Sequence, residues 1–305
     1  YAGGCERYYK ACESNLMEEM IIMTEISMPN EEDWSYYLQN TPDNYLQGVL
    51  VSLLEENRFF ADYRFLKLLL WYVSEGGKFC TTELTIKKDS SLLYRARVYY
   101  EEKDKAERER ERVTEKDNNC FLGYNKTGSF IPPKGISVGN GRANPSGITY
   151  LYTANDPLTA IAEVNPPLKA EVSVATIVAK ENLRILNFAN LHSASTGEDT
   201  ARVKWIRDFV LALTRIYNTP VLDENYLLCQ YVSEFAKNIG FDGIAFRSSK
   251  VKIDVVENEG KNFVIFNYRK CEAVSSELYY ISDRNLEVKR KDSSGSYHAV
   301  TKGSL

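Results

Sequence analysis

The chain has 305 residues, 44% of them hydrophobic and 26% charged, with a formal net charge of -4 and a pI near 5.5. This composition suits one large or two modest globular domains with ample material for a core, and its acidic balance argues against a dedicated nucleic-acid surface, which is normally basic. The longest nearly uncharged apolar run, Phe65 to Val73, includes Lys67 and falls far short of the roughly 20 residues that a membrane helix needs, so no membrane span is expected.

The first 88 residues read as helical. Leu16, Met20 and Met23 recur at helical spacing, Glu31 to Leu38 predicts a helix after Pro29, and Leu50 to Val73 holds a long apolar periodicity broken by Asn57 and Asp62. Stripes of this kind are core positions, here for docking onto the rest of the chain. The six cysteines form no CxxC pair and only two histidines accompany them, which gives a structural zinc site little support and fits reduced thiols in the cytoplasm. No secretory signal is visible, and Cys5 with Cys12 leaves open the remnant of a metal-binding head.

Leu92 to Arg97 predicts a strand that carries arginines. The run from Glu101 to Arg112 mixes both charges with almost no apolar residue, the pattern of a solvated helix or loop or, in a second reading, of a mobile cover. Gly139 to Asn165 then carries the densest local signal. Asn144-Pro145 and Ser146-Gly147 predict a reversal, because the residue before proline is driven toward extended or turn conformations. A strand should follow, with Ile148, Tyr150 and Tyr152 on one face. Asp156 is placed to cap a helix that opens at Pro157, a residue with no N–H to lose, and Pro166-Pro167 requires that helix to stop by Asn165. Glu163 therefore falls in its last turn, where the helix dipole disfavours a carboxylate by about 0.3–1 kcal/mol. A Glu in that position calls for a reason, either solvent screening or function.

Gly139-Asn140-Gly141 is not the start of a dinucleotide-binding GxGxxG, since Asn144 replaces the third glycine and Pro145 follows it. Farther on, Val172 to Val178 and Leu183 to Phe188 predict strands, and Thr200 to Tyr217 and Glu224 to Asn238 predict helices. Gly240 serves as a left-handed stop, and Phe263 to Phe266 and Leu278 to Ile281 predict late strands. These counts favour an α+β class over a parallel α/β sheet. His192 and His298 have no nucleophile-elbow sequence to serve, which makes Ser-His-Asp catalysis a poor rival.

Tyr94-Arg95, Gly141-Arg142-x-Asn144-Pro145, Leu151-Tyr152, Glu163-Val164 and the Gly243-Ile244 to Ser248 strand occur in one order and at characteristic spacing. Through them the chain, over residues 92 to 270, resembles the RES-domain family, named for an Arg, a Glu and a Ser. The resemblance implies an α+β fold with a β-rich, ADP-ribosyltransferase-like core and flanking helices over residues 89–285. Before it, residues 1–88 form an all-α module similar to the N-terminal region of some RES proteins that is compared with HEPN nucleases, and residues 286–305 follow as a loose tail. HEPN ribonucleases use an Arg-to-His motif, and no His precedes His192, which excludes that activity. Compact members pass quickly from the first Arg to the Gly-Arg turn, whereas here residues 99–137 stand between them as an insertion. Arg95 fits the family's first Arg better than Arg97 because it follows Tyr94.

What the resemblance implies is a toxin-like NAD+ glycohydrolase that cleaves the nicotinamide-ribose bond, with phosphorolysis as a variant. The rivals are an ADP-ribosyltransferase acting on a protein and a non-catalytic nucleotide-binding module. The chemistry is consistent with this set of residues. Nicotinamide in NAD+ is already a cationic leaving group, so one carboxylate suffices where O-glycosidases need two. Glu163 would stabilise the oxocarbenium-like ribose, Arg95 and Arg142 would meet the pyrophosphate or brace the pocket, and Tyr152 would stack on the nicotinamide or hydrogen-bond near it. Ser248 would bond the amide or a phosphate, and Tyr94 and Asn144 would shape the NAD+ site. The structural alternatives are a turn brace for Arg142, a core aromatic for Tyr152 and a turn cap for Ser248. No metal and no cofactor beyond NAD+ as substrate are expected, and the partners implied are an antitoxin or immunity protein and a second copy of the chain.

Overall fold

The computed structural model describes residues 26–56, 63–76, 81–102, 120–130, 139–189, 201–218, 226–248, 250, 260–282, 288–291 and 297–299. The helix expected around Leu16 to Met23, Cys5 and Cys12, the charged run from 103 to 112, His192 and the Ser293 to Ser296 stretch lie outside them.

Among the described residues three helices come first. α1 (Glu31–Leu38) begins with a capping box in which Asn30 and Asp33 each accept the other's backbone N–H, and α2 (Pro42–Val51) begins with Thr41 as cap and Pro42 in its first turn. A π-turn over Ser52–Glu56 follows, and α3 (Tyr63–Glu75) buries Phe65, Leu66, Leu68, Leu69 and Tyr72. Asp33 is buried and paired with Lys67 at 2.8 Å. Burial works to raise its carboxyl, but the Lys67 and Asn30 bonds and the charges of Lys67 and Arg64 outweigh it and hold it below the usual carboxylate range.

The remaining elements are β1 (Glu83–Ile86), β2 (Leu92–Val98), α4 (Lys126–Phe130), β3 (Leu151–Ala154), α5 (Pro157–Val164), β4 (Glu171–Ala179), β5 (Leu183–Asn187), α6 (Ala201–Asn218), α7 (Tyr226–Asn238), β6 (Gly243–Arg247), β7 (Lys261–Ile265), β8 (Cys271–Ile281), β9 (Val288–Lys291) and β10 (Tyr297–Ala299). Ten strands form one sheet in the order β1-β5-β6-β7-β3-β2-β4-β8-β9-β10, antiparallel throughout except for β5 beside β6. The class is α+β.

The sheet nearly comes apart in its middle. β2 pairs with β4 along its whole length, from Leu92↔Val178 to Val98↔Val172, and β3 pairs with β7 from Leu151 to Ala154, but β2 and β3 meet only at Tyr94↔Ala154. The halves fold toward each other. Leu151, Ala245, Phe263 and Ile265 of one half share a core with Leu93, Ala175, Ile177 and Ala273 of the other. On the outer face of the first half, α1, α2, α3, α6 and α7 pack in a single core with Leu186, Ile244 and Val264. Small residues let α5 sit close on β2 and β4, where Ala160 and Ile161 meet Ala96, Val172 and Val174.

Three expectations change. The segment read as a loose tail contains β9 and β10, which extend the sheet from β8. A backbone ladder on an edge needs no apolar side chains, so the charged sequence Val288-Lys289-Arg290-Lys291 hid the strand. Within the stretch read as an insertion, Phe121, Tyr124, Asn125 and Ser129 are buried, and Tyr124 and Gly123 hydrogen-bond to Ser173 and Ser276 of β4 and β8. The strand expected from Ile148 starts only at Leu151.

The N-terminal helices are fastened to the rest by core aromatics: Phe65 meets Phe209 of α6 and Tyr231 of α7 with ring centroids 6.0 and 6.1 Å apart, and the Tyr72 hydroxyl donates to Asn187 O at 2.5 Å. Phe65→Ala should therefore lower one common melting transition, by about 3–5 kcal/mol of stability, rather than melt a separate N-terminal unit. Calorimetry with the wild-type chain beside it checks this; a second, earlier transition confined to the helices would overturn it.

Candidate functional site

Where β2 and β3 part, a cavity of about 440 Å³ opens. It is lined by Tyr94, Arg95 and Ala96 from β2, Tyr152, Thr153 and Ala154 from β3, Ala160, Glu163 and Val164 from α5, Gly141 and Arg142 from the preceding loop, and Phe246, Asn262 and Phe263 from β6 and β7. The size falls within the usual range of small-molecule sites.

Glu163 reaches the cavity because α5 is bounded as its sequence requires. Asp156 caps Thr159 N at 2.8 Å, Pro157 is the first helical residue, and Asn165 ends the helix in the left-handed region at φ 45°. The Glu163 carboxylate is held by two side chains at one oxygen. Ser248 Oγ donates to Oε1 at 2.5 Å and Asn262 Nδ2 donates to the same atom at 2.6 Å. Oε2 has no hydrogen-bond partner among the described residues.

Arg95 is the cavity's cation on β2. Its Nη1 donates to Ser129 O at 3.1 Å, and no carboxylate among the described residues lies within ion-pair distance of it. Burial first, and then the charge of Arg97, push the Arg95 guanidinium down to about 10. Arg97 points to Gly128 O and lies over the Tyr124 ring at 4.6 Å, away from the cavity lining. The neighbouring cations have separate jobs, with Arg95 at the cavity and Arg97 on the segment beneath it.

Tyr152 and the loop before it form one unit. Pro145 O accepts from Ile148 N at 3.2 Å around Gly147, whose φ of 88° is the positive value that a type II turn demands at its third residue. Asn144, 2% exposed, donates from Nδ2 to Gly139 O, Pro145 O and Ile148 O and accepts the Tyr152 hydroxyl on Oδ1 at 2.7 Å, while that hydroxyl accepts Ala143 N at 3.1 Å. A side chain at Gly141 would collide with Asn144 Oδ1, so the Gly-Arg dipeptide is a close-approach position. The phenol is thus spent on the loop while the residue stays 37% exposed, which leaves its ring as an apolar wall. Burial outweighs the Ala143 and Asn144 backbone bonds and pushes the phenol up to about 12, which keeps it neutral at physiological pH. Tyr94 on β2 is half-buried at the cavity, its phenol also raised, by burial first and then by the charges of Glu277 and Asp156.

Of the residues singled out in the sequence, the fold brings Tyr94, Arg95, Arg142, Tyr152 and Glu163 to one cavity. Asn144 and Ser248 do not line it: Asn144 fastens the loop, and Ser248, expected to bond the amide or a phosphate, holds Glu163 instead. Asn262 went unnoticed in the sequence. The available signal was an amide in the otherwise apolar strand Asn262-Phe263-Val264-Ile265, 7% exposed in the structure and aimed at a carboxylate. Among the described residues no three His, Cys, Asp or Glu side chains gather to hold a metal ion, and no helix is long and apolar enough to cross a membrane.

A family model described as RES domain matches residues 122–289, more than half of the chain. The match takes in the loop, α5, β6 and β7, begins within the stretch read as an insertion, and leaves out β2 with Tyr94 and Arg95. No curated protein matches the sequence. Similar solved structures include the crystal structure of the M. tuberculosis MbcT-MbcA toxin-antitoxin complex, at 14% identity over 63% of this chain and 85% of that one, with a TM-score of 0.32. That likeness is too loose to bear on the fold.

The Tyr152 environment yields a pH prediction. A phenol raised from about 10 in the unfolded chain to about 12 in the fold contributes stability that is fully present below pH 10 and lost as the pH rises toward 12. Tyr152→Phe should cost about 1 kcal/mol at pH 7 through its lost hydrogen bonds, and should make the fall in stability between pH 10 and 12 shallower than in the wild type. Denaturant unfolding across that range checks it, and parallel curves would refute the buried, bonded phenol.

Proposed function

Because the chain belongs to the RES-domain family, we propose that it is a toxin-like enzyme that consumes NAD+ by breaking the nicotinamide-ribose bond. The observation that carries the reading is one cavity lined by both signs of charge. Glu163 presents a bonded carboxylate with one oxygen free, and Arg95 presents a guanidinium without a carboxylate partner among the described residues. A dinucleotide carries the complement of each, a cationic glycosyl centre and an anionic pyrophosphate.

In this mechanism the C1′–N bond of the nicotinamide riboside breaks and its electron pair leaves with nicotinamide, which becomes neutral and needs no acid. Positive charge develops on C1′ and the ring oxygen. Glu163 Oε2 stabilises it, and because Ser248 and Asn262 already hold Oε1 the group need not reorganise as the charge appears. The Tyr152 ring supplies a flat apolar wall for the nicotinamide, and Arg95 and Arg142 face the phosphates. An oxygen nucleophile then bonds C1′ and loses its proton to solvent. Water gives ADP-ribose, inorganic phosphate gives its 1″-phosphate, and a protein side chain would make the enzyme a transferase that uses the same site. Tyr94 and Ala96 close the β2 side. The partner that goes with this reading is an antitoxin, as the family resemblance implies.

The test is to incubate the purified chain with NAD+, with and without phosphate, and to resolve the products beside Glu163→Gln. Gln keeps an Oε1 that accepts from Ser248 and Asn262 and places an amide nitrogen where Oε2 stood. Folding and NAD+ binding should persist while turnover falls on the order of 10² to 10³-fold. The melting temperature should fall modestly, since the Ser248 and Asn262 bonds persist without charge assistance and the charge that leaves the negative end of α5 offsets only part of that loss. Unchanged turnover would sink the assignment, and so would a wild-type chain that leaves NAD+ intact.

A further inference from the structure

Residues 139 to 150 bear or adjoin two ligand-facing side chains, Arg142 and Tyr152, yet they have no strand pairing before β3 begins at Leu151. α7 supplies what the sheet does not. Gln230, 5% exposed on that helix, directs its amide Nε2 at three acceptors of the loop: Asn140 Oδ1 at 2.7 Å, Gly141 O at 2.8 Å and Asn144 O at 3.1 Å. One turn further along, Glu234 Oε1 accepts the Tyr150 hydroxyl at 2.7 Å. Asn144 O is also the acceptor for Gly141 N at 2.9 Å, so the Gln230 amide sits on the closing bond of the turn that carries Arg142.

Such an arrangement has a physical consequence. A loop with no ladder keeps its shape only if its inward-facing carbonyls find donors, and a single buried amide provides them for Gly141 and Asn144, which flank Arg142 and Ala143. Ala143 N in turn fixes the Tyr152 hydroxyl. The helix that carries Gln230 buries Leu228, Val232, Phe235 and Ala236 and touches Phe65 of α3 through Tyr231. It is a rigid base that reaches back to the N-terminal helices.

We propose that Gln230 is a positioning residue for NAD+ cleavage: it sets the loop so that Arg142 and the Tyr152 ring stand in place before substrate arrives, and it links them through α7 to the N-terminal helices. This rests on the NAD+ reading of the site. Its effect belongs mainly to substrate binding, since Arg142 and Tyr152 hold the dinucleotide while the charge on C1′ is met by Glu163 from another element.

The experiment uses the full chain with Gln230→Met and Gln230→Glu, which keep length and volume but remove the amide donors. Amide hydrogen exchange in residues 139–152 and 226–238, KM and kcat for NAD+, and melting temperature are measured on each. The expected result is faster exchange in 139–152 with α7 protected as in the wild type, and a kcat/KM lower on the order of 10²-fold, most of it in KM. A merely structural role would lower the amount of active enzyme and hence kcat, with KM unmoved. Wild-type exchange in the loop, faster exchange of α7 itself, or a loss confined to kcat would each overturn the proposal. A wild-type chain that fails to cleave NAD+ speaks against the function proposed above, and the exchange result alone then decides whether Gln230 sets the loop.

Discussion

Everything at the cavity depends on one interruption in the sheet, where β2 keeps its full ladder with β4 and touches β3 only at Tyr94↔Ala154. A continuous ladder there would bring the strands about 5 Å apart along their length and leave no room for a ligand. Parting them instead opens a space walled by two strand edges, into which α5 and the loop after residue 139 extend their side chains. Several features keep β2 on its own side. Arg95 and Arg97 are tied to carbonyls at the end of α4, the Tyr124 ring lies under Arg97, and the Tyr124 hydroxyl bonds the backbone of Val98 and Tyr100. The segment 120–130 therefore helps to hold the sheet open from beneath.

A second constraint is electrostatic. The last turn of a helix disfavours a carboxylate by about 0.3–1 kcal/mol, which is smaller than the roughly 1.5–3 kcal/mol that a hydrogen bond to a charged group contributes. Glu163 receives two such bonds, from elements far apart in sequence, so the fold retains it in a place that the helix alone would reject. The donors also orient it. With Oε1 occupied from two directions, the second oxygen has little freedom, which is the condition for stabilising a charge that appears only during reaction.

The parts of this arrangement that are governed by neighbours in sequence were legible in it. Asp156, Pro157 and the Pro166-Pro167 pair bound α5 and so put Glu163 in its last turn; Pro29 marks the start of α1; Gly240 turns left-handed at φ 87° where α7 stops. What was not legible depends on contacts across the fold. Asn262 and Gln230 look like ordinary polar residues until the strand pairing of β7 and the packing of α7 bring them to Glu163 and the loop, 99 and 89 positions away from their partners Glu163 and Gly141. For the same reason Ser248 reads as a ligand contact in the sequence and proves to be a prop for Glu163. β9 was hidden by its charges, since an alternation of apolar residues marks only strands that bury a face.

In the proposed chemistry the helical layer has a place that needs no catalytic residue of its own. A loop that presents ligand groups without strand pairing is only as ordered as its supports, and here the support is α7, itself clamped between the sheet and α3 by Phe65, Phe209 and Tyr231. Surface pairs such as Arg202 with Glu31 and Arg215 with Asp43 add little, because exposed ion pairs contribute about 0–1 kcal/mol. The buried contacts are the ones that transmit rigidity: the Tyr72 hydroxyl on Asn187 O, Trp205 Nε1 on Asn40 O, and the stacked rings of Tyr72 and Phe188. A change in how α1 to α3 pack would reach the cavity by two routes, through α7 and the loop and through β6 and β7, whose Ile244 and Val264 share that core and from which the Glu163 strut hangs. In the proposed mechanism substrate holding and charge stabilisation both rest on this helical layer, the first through the loop that carries Arg142 and Tyr152 and the second through the strands that hold Glu163.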